Sequence, residues 1–324
     1  MLRAMLDANR VVFFPFRYFS STIARRRRLA ASLAGLLLGL LPTAVRAQSK
    51  IDTPLSWPVE KEVAGSLVIV GGGLLPDAIR ERFLELAGGK KGRLVVIPTA
   101  SKRVDQSRIS RGFKYWKAQG LASVSVLHTL NPKEANDPSF VKPLTEATAA
   151  WLGGGDQSRL ASVYHNTAVE TELQRLLARG GVIGGTSAGA SIMSAIMITG
   201  GNPQAHTGQG FGLLPNVVID QHFQNRKRQK RLLGVLADHP RCLGLGIDEK
   251  TAVILQGHTL TVLGTANVSV CLPPAKGDAD NVKLLKSGEV CDLLQFRERM
   301  ISRLKAPVPS KPMADKTSSR ATMP

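Results

Sequence analysis

Gly185-Thr186-Ser187-Ala188-Gly189 stands between an apolar run, Val182-Ile183-Gly184, and a second apolar stretch, Ala190 to Ile196. Gly-x-Ser-x-Gly between a strand and a helix is the arrangement of a nucleophile elbow. The turn is so sharp that the flanking positions have no space for a Cβ, and glycine fills them. The serine then stands at a helix N-terminus, where the dipole and the amides favour developing negative charge. Two other readings compete. A glycine-rich turn of this kind can hold a phosphate, but this one lacks the lysine of a P-loop and does not fit G-x-G-x-x-G. Thr186 or Ser187 could also simply cap the helix. The spacing favours the nucleophile. Ser191, four residues on, reads as a packing residue.

A serine hydroxyl needs a base, and the base needs a group that holds its tautomer. Of the six histidines, His222 ends an apolar strand, Asn216 to Phe223, and stands just before a basic run, Asn225 to Arg231. That puts it at the sheet edge where Ser187 should be. His128 also follows a strand, but Thr129 and Leu130 add no support. His165, His206 and His258 read as loop residues, and His239 precedes a proline. Three acids are candidates. Asp248 and Glu249 end the run Leu243 to Ile247 and point to opposite faces, so only one can address the site. Asp220 shares a strand face with His222. The residues alone leave the three open.

The elements that must position these groups alternate. Strands are expected at Ser66–Val70, Arg93–Pro98, Ser123–Leu127, Ala147–Leu152 and Gly181–Gly184, with helices at Pro76–Leu86, Asp105–Gln119 and Ala168–Ala178. Alternation of this kind means a mostly parallel sheet with helices on both faces, and function gathers at the carboxyl ends of its strands. After about residue 240, strands follow one another: Leu243–Ile247, Thr251–Leu255, Thr259–Leu263 and Val268–Cys271. These are expected to extend one mixed sheet antiparallel, within one α/β domain over 48–304.

The flanks differ in kind. Arg25 to Arg28 are followed by an apolar run, Leu29 to Leu41, then Pro42 and Val45-Arg46-Ala47. This is the order of a secretory signal with a long charged lead, so 1–47 is expected to be cleaved after Ala47, leaving a secreted protein free of the membrane. From 305 to 324 the chain is rich in Pro, Ser and Lys, without an apolar period, as disordered tails are. Residues 1–47 hold eight arginines against one aspartate, so the rest still carries +12 of a net +19. With only 5% aromatic residues and no recognisable nucleic-acid module, that charge suits an anionic substrate better than nucleic acid. Cys242, Cys271 and Cys291 have neither metal-site nor framework spacing; a Cys271–Cys291 bridge and three buried thiols are both open. There is no HExxH, dense acidic site or dinucleotide fingerprint, so no metal or organic cofactor is expected. The oligomeric state is left open, a homodimer included.

Four motifs in order now resemble those of the cyanophycinase and peptidase E family, over most of residues 66–255. They are Gly154-Gly155-Asp156-Gln157; Gly184 to Ala190; Gly212-Leu213-Leu214-Pro215 leading into Asp220-Gln221-His222-Phe223 with Arg226, Arg228 and Arg231; and Gly246 to Ala252. The Asp-Gln-His-Phe run and its arginines resemble the cyanophycinase branch. The resemblance implies a glutaminase-like (flavodoxin-like) α/β fold and a serine peptidase with Ser187 as nucleophile, His222 as base and Glu249 as orienting acid. It implies an oxyanion hole from the Gly155 and Ala188 amides, and a substrate pocket lined by Gln157, Asp220 and the three arginines. The implied substrate is cyanophycin, an aspartate chain with arginine on each β-carboxyl, or another β-aspartyl peptide. An aspartyl or isoaspartyl dipeptidase and a silent acidic-peptide binder are the alternatives. Lys230 stands where the family often has glycine, and Leu74-Leu75-Pro76 is apolar where relatives often carry acids. A helix is expected to begin at Asn225, with Arg226, Arg228 or Arg231 reading substrate carboxylates by paired N–H bonds and Lys227 and Lys230 facing solvent.

Overall fold

Each strand of the central sheet divides its side chains between two apolar layers. In β1 (Ser66–Val70), Leu67 and Ile69 enter one core while Val68 and Val70 enter the other. This is the period of two, and both faces are apolar because both are covered. The computed structural model describes residues 63–102, 104, 113–275 and 281–305. The expected signal and most of the expected tail lie outside these residues, as does the start of the expected Asp105–Gln119 helix; residues 113–117 are helical.

The parallel part of the sheet is β1, β2 (Arg93–Ile97), β3 (Ser123–Val126), β4 (Ala149–Leu152) and β5 (Val182–Thr186), in the order β1-β5-β4-β2-β3. The helix Asp77–Leu86 covers one face, where Phe83, Trp116 and Trp151 meet edge to face or tilted, with centroids 4.8–5.6 Å apart. Helices Pro138–Thr145, Gln157–Tyr164 and Ala168–Ala178 build the other face. The chain is thus α/β with a mostly parallel central sheet between helices.

Two parts of the chain depart from expectation. The apolar stretch after Ser187 is helical only at Ala188–Ser191; it then turns and enters a hairpin, β6 (Ile196–Gly200) and β7 (His206–Gln209). The late strands also do not form one extension. β10 (Thr251–Gln256) and β11 (Thr259–Gly264) join β1 antiparallel, and β14 (Val290–Asp292) closes that edge. β9 (Leu243–Ile247) instead pairs with β8 (Val217–Gln221) in a separate four-stranded sheet, completed by β12 (Asn267–Cys271) and β13 (Val282–Lys286). The residues of β9 explain the split. Leu243, Leu245 and Ile247 pack into the main core, while Phe223 and Leu236 sit against Gly246 and Gly244 on the opposite face. A strand covered on both faces can be the centre of its own small sheet. The three cysteines are free, with no Cys271–Cys291 bridge. Burial pushes the Cys242 thiol up to about 11 and Cys271 up to about 12, far from nucleophile chemistry.

Candidate active site

The elbow is built as its glycines require. Ser187 has φ 53° and ψ −109°, a backbone conformation rare for an L-residue and typical of stored strain at functional sites. A Cβ on Gly185 would lie 2.3 Å from the Gly189 carbonyl oxygen, and one on Gly189 would lie 2.1 Å from that of Leu152. Only bare backbone lets strand and helix cross so closely. The Ser187 amide donates to the Val70 carbonyl at 3.0 Å, which ties the elbow to β1.

His222 arrives from the second sheet. β8 ends at Gln221, and His222 leaves it with φ 49°, its amide donating to the Gly71 carbonyl at 2.7 Å. The positive φ breaks the alternation of the strand, so the shared face expected for Asp220 and His222 does not hold. The imidazole Nε2 lies 2.9 Å from Ser187 Oγ, and Nδ1 lies 2.5 Å from Glu249 Oε1. Glu249 occupies the turn between β9 and β10, where the Lys250 amide donates to the Gly72 carbonyl at 2.9 Å. Asp248 turns away: its Oδ1 accepts the Gln224 amide at 2.9 Å and so holds the backbone of the His222 turn. Burial lowers the His222 pKa below the usual imidazole value, the Glu249 hydrogen bond raises it, and the nearby charge of Arg226 lowers it again. The net shift is downward, which favours the neutral ring that can accept a proton.

The glycine run after β1, which the four motifs do not include, also borders the site. A Cβ on Gly72, which has φ 111°, would lie 2.4 Å from His222 Cε1, and Gly73 lies against Glu249. Three glycines at the carboxyl end of a central strand were the available signal.

The other expected residues divide into those facing the cavity and those behind it. A cavity of about 580 Å³ opens beside Ser187, and Gly155, Gln157, Arg226, Arg228 and Arg231 line it. Ala188 is the first residue of the short helix after Ser187. Gly155 has φ 146°, and a Cβ there would lie 2.2 Å from the Ala100 carbonyl oxygen. Gln157 is largely committed: its amide Nε2 donates to the Ile198 carbonyl at 2.7 Å and so pins the β6–β7 hairpin.

Asp220 does not line the pocket as expected. It is fully buried. Arg231 grips its carboxylate with two bonds, Nε to Oδ2 at 2.7 Å and Nη2 to Oδ1 at 2.5 Å, while Arg231 Nη1 donates to the Gly201 carbonyl at 2.7 Å. Arg231 is therefore a strut between β8 and the hairpin, with little left for a ligand. Arg228 is intermediate. It donates to the Gln221 carbonyl at 2.6 Å and to Gln221 Oε1 at 2.9 Å, and lies 3.4 Å from Asp220. Burial pushes its pKa down to about 10, so it stays charged at neutral pH. Arg226 is exposed and has no ion-pair partner among the described residues. The helix expected from Asn225 starts at Gln229, because the chain first turns back on itself, with the Arg226 amide on the His222 carbonyl and the Arg228 amide on that of Phe223. Lys227 takes φ 50° in that turn.

The remaining histidines are elsewhere. His128 Nδ1 lies 2.8 Å from Thr99 Oγ1, which also meets the Tyr164 hydroxyl at 2.7 Å, a buried polar cluster behind β2. His165 pairs with Gln209 at 3.0 Å. Among the described residues, no cluster of His, Cys, Asp and Glu could hold a metal ion.

Similarity to known proteins agrees with this geometry. Residues 67–263 match peptidase family S51. A cyanophycinase of a Nostoc species is 36% identical over 225 residues, covering 64% of this chain and 74% of the relative. That of Geminocystis herdmanii is 31% identical over 225 residues, covering 65% and 82%. The crystal structure of a peptidase from an acI-B1 actinobacterium superposes with a TM-score of 0.56 at 26% identity, covering 70% of this chain and 96% of that one. With the family matched over the stretch that holds Ser187, His222 and Glu249, this chain belongs to peptidase family S51 and is a serine peptidase.

Proposed function

We propose that the chain is an exported cyanophycin hydrolase that releases β-Asp-Arg dipeptides through an acyl-enzyme on Ser187. The observation that carries this reading is the hydrogen-bonded line Ser187–His222–Glu249 opening onto a cavity with arginines in its wall. His222 Nε2 takes the Ser187 proton as Oγ attacks the backbone carbonyl of an aspartyl unit, then gives it to the departing nitrogen. Glu249 holds the Nδ1 tautomer and stabilises the imidazolium. The Gly155 and Ala188 amides receive the oxyanion, where the N-terminus of the short helix adds its favourable field. Water then attacks the ester by the same route in reverse. Arg226 and Arg228 meet substrate carboxylates, and Asp220 and Arg231 set the wall that carries them. The relatives named cyanophycinase support the choice of polymer, and the arginine-led apolar segment before Gln48 supports export.

Incubation with insoluble cyanophycin tests the substrate. Soluble β-Asp-Arg should accumulate, and Ser187→Ala should release none. If the polymer stays intact while short isoaspartyl peptides are cut, the chain is a dipeptidase instead.

A further inference from the structure

The buried cluster around Thr99 is tied by backbone bonds to the wall of the cavity beside Ser187. Thr99 stands just after β2 and is fully buried, inside the turn 98–101 that the Ser101 amide closes on the Pro98 carbonyl at 3.0 Å. This turn and the loop after β4 are joined twice. The Gly153 amide donates to the Ile97 carbonyl at 2.9 Å, and the Asp156 amide to the Ala100 carbonyl at 2.8 Å. Gly155 lies between those two bonds. With φ 146° it rests so closely on Ala100 that a Cβ would meet the carbonyl oxygen at 2.2 Å. Ala100, Gly155 and Ser187 all line the cavity. Where Ala100 sits therefore sets where the Gly155 peptide sits.

The hydroxyl of Thr99 fixes that turn. Its Oγ1 lies 2.7 Å from the Tyr164 hydroxyl and 2.8 Å from His128 Nδ1, and the Thr129 amide donates to the Tyr164 oxygen at 3.2 Å. One arrangement gives every hydrogen an acceptor: Thr129 N–H to Tyr164, Tyr164 O–H to Thr99, and Thr99 O–H to His128 Nδ1. Burial supports both ends of this chain. It pushes Tyr164 up to about 12, so the phenol keeps its proton, and together with the charge of Arg159 it lowers His128, which favours a neutral accepting ring. Tyr164 ends the helix Gln157–Tyr164, which starts directly after Gly155 and Asp156. Thr99 thus braces Gly155 twice, through Ala100 and through the far end of this helix.

We propose that Thr99 is a positioning residue that holds the Gly155 amide where the oxyanion forms. This rests on the roles proposed above for Ser187 and Gly155. The rate at which a fluorophosphonate labels Ser187 tests it without any choice of substrate, because phosphonylation also builds negative charge on an oxygen beside Ser187. Thr99→Val keeps the shape and loses both hydrogen bonds. It should slow labelling about 10- to 100-fold, the scale of a small misplacement at a reacting centre, while the reaction still ends at one adduct per chain. Thr99→Ser keeps the hydroxyl and should label at close to the wild-type rate. Tyr164→Phe keeps only the bond from Thr99 to His128 and should fall between the two; it carries the test if Thr99→Val does not fold. A wild-type rate in folded Thr99→Val or in Tyr164→Phe would overturn the proposal alone. So would an equal loss in Thr99→Ser, or a lower endpoint reached at an unchanged rate, which means fewer intact sites rather than a displaced amide. If Ser187 of the wild-type protein took no label, the proposal would fall together with the nucleophile assignment.

Discussion

At the scale of single residues, the choice between neighbouring acids shows what a short stretch of sequence can and cannot carry. Asp248 and Glu249 are adjacent, and strand alternation says only that they diverge. The structure brings Glu249 to within 2.5 Å of His222 and gives Asp248 the Gln224 amide. Which faced the site depended on how β9 met β8 across the helix Gln229–Asp238, a pairing that no local pattern contains. Ser187→Ala and His222→Ala should each lower kcat/KM on the order of 10⁴- to 10⁶-fold, and the double variant should be scarcely worse, because members of such a unit do not add. Glu249→Gln should cost about 10²- to 10⁴-fold. Asp248→Asn keeps an oxygen for the Gln224 amide and should cost far less; the reverse order, measured on folded protein, would exclude Glu249 as the orienting acid. The pH profile follows from the same contacts. The proposed role of His222 requires the neutral ring, and burial depresses its pKa. The acid limb of kcat/KM should therefore fall below the usual imidazole value of about 6.5. Arg226→Ala removes a neighbouring positive charge and should move that limb up; Glu249→Gln removes a hydrogen bond that favours the charged ring and should move it down. Stopped-assay rates across pH 4–9 in each variant give both signs.

At the scale of elements, the basic run divides its work in a way that spacing did not reveal. Counting from His222 correctly set the run beside the site, but a helix from Asn225 would have turned the arginines differently. The turn from His222 to Arg228, closed on backbone carbonyls, postpones the helix to Gln229 and sends Arg231 back to Asp220. The signal for this was a buried carboxylate eleven residues upstream, which no local period contains. Arg231→Ala should therefore be a stability variant, since it removes the two-bond partner of a fully buried carboxylate and leaves only Arg228 at 3.4 Å, at a cost of about 3 kcal/mol. Arg226→Ala, at an exposed residue with no ion-pair partner among the described residues, should leave the urea midpoint within error and lower kcat/KM instead. Equal midpoints for the two variants would contradict the strut. The glycine run after β1 gives the opposite contrast. Gly72→Ala, at φ 111° with the His222 ring where its Cβ would go, should yield protein with native far-ultraviolet dichroism that has lost most of its activity.

At the scale of the whole molecule, the parallel core was legible because its strands are short apolar runs that alternate with helices. The second sheet was not. β8, β9 and β12 look like further strands of one sheet until the bulky contacts across the two faces of β9 are seen. That sheet is what brings both His222 and Glu249 to an elbow built on the first, so the candidate site is assembled where the two sheets meet at the end of β1. If the protein is exported as proposed, protein recovered from periplasm or medium should begin near Gln48 by mass spectrometry, and a full-length protein confined to the cytoplasm would count against export. The most direct measurement concerns Ser187 itself. Treatment of the folded protein with a fluorophosphonate, followed by peptide mass spectrometry, should find one adduct per chain, on the peptide that carries Ser187. Labelling should be absent in Ser187→Ala and strongly slowed in His222→Ala. An adduct on a different residue, or no adduct in protein that still cleaves its substrate, would contradict the assignment of Ser187 as the nucleophile.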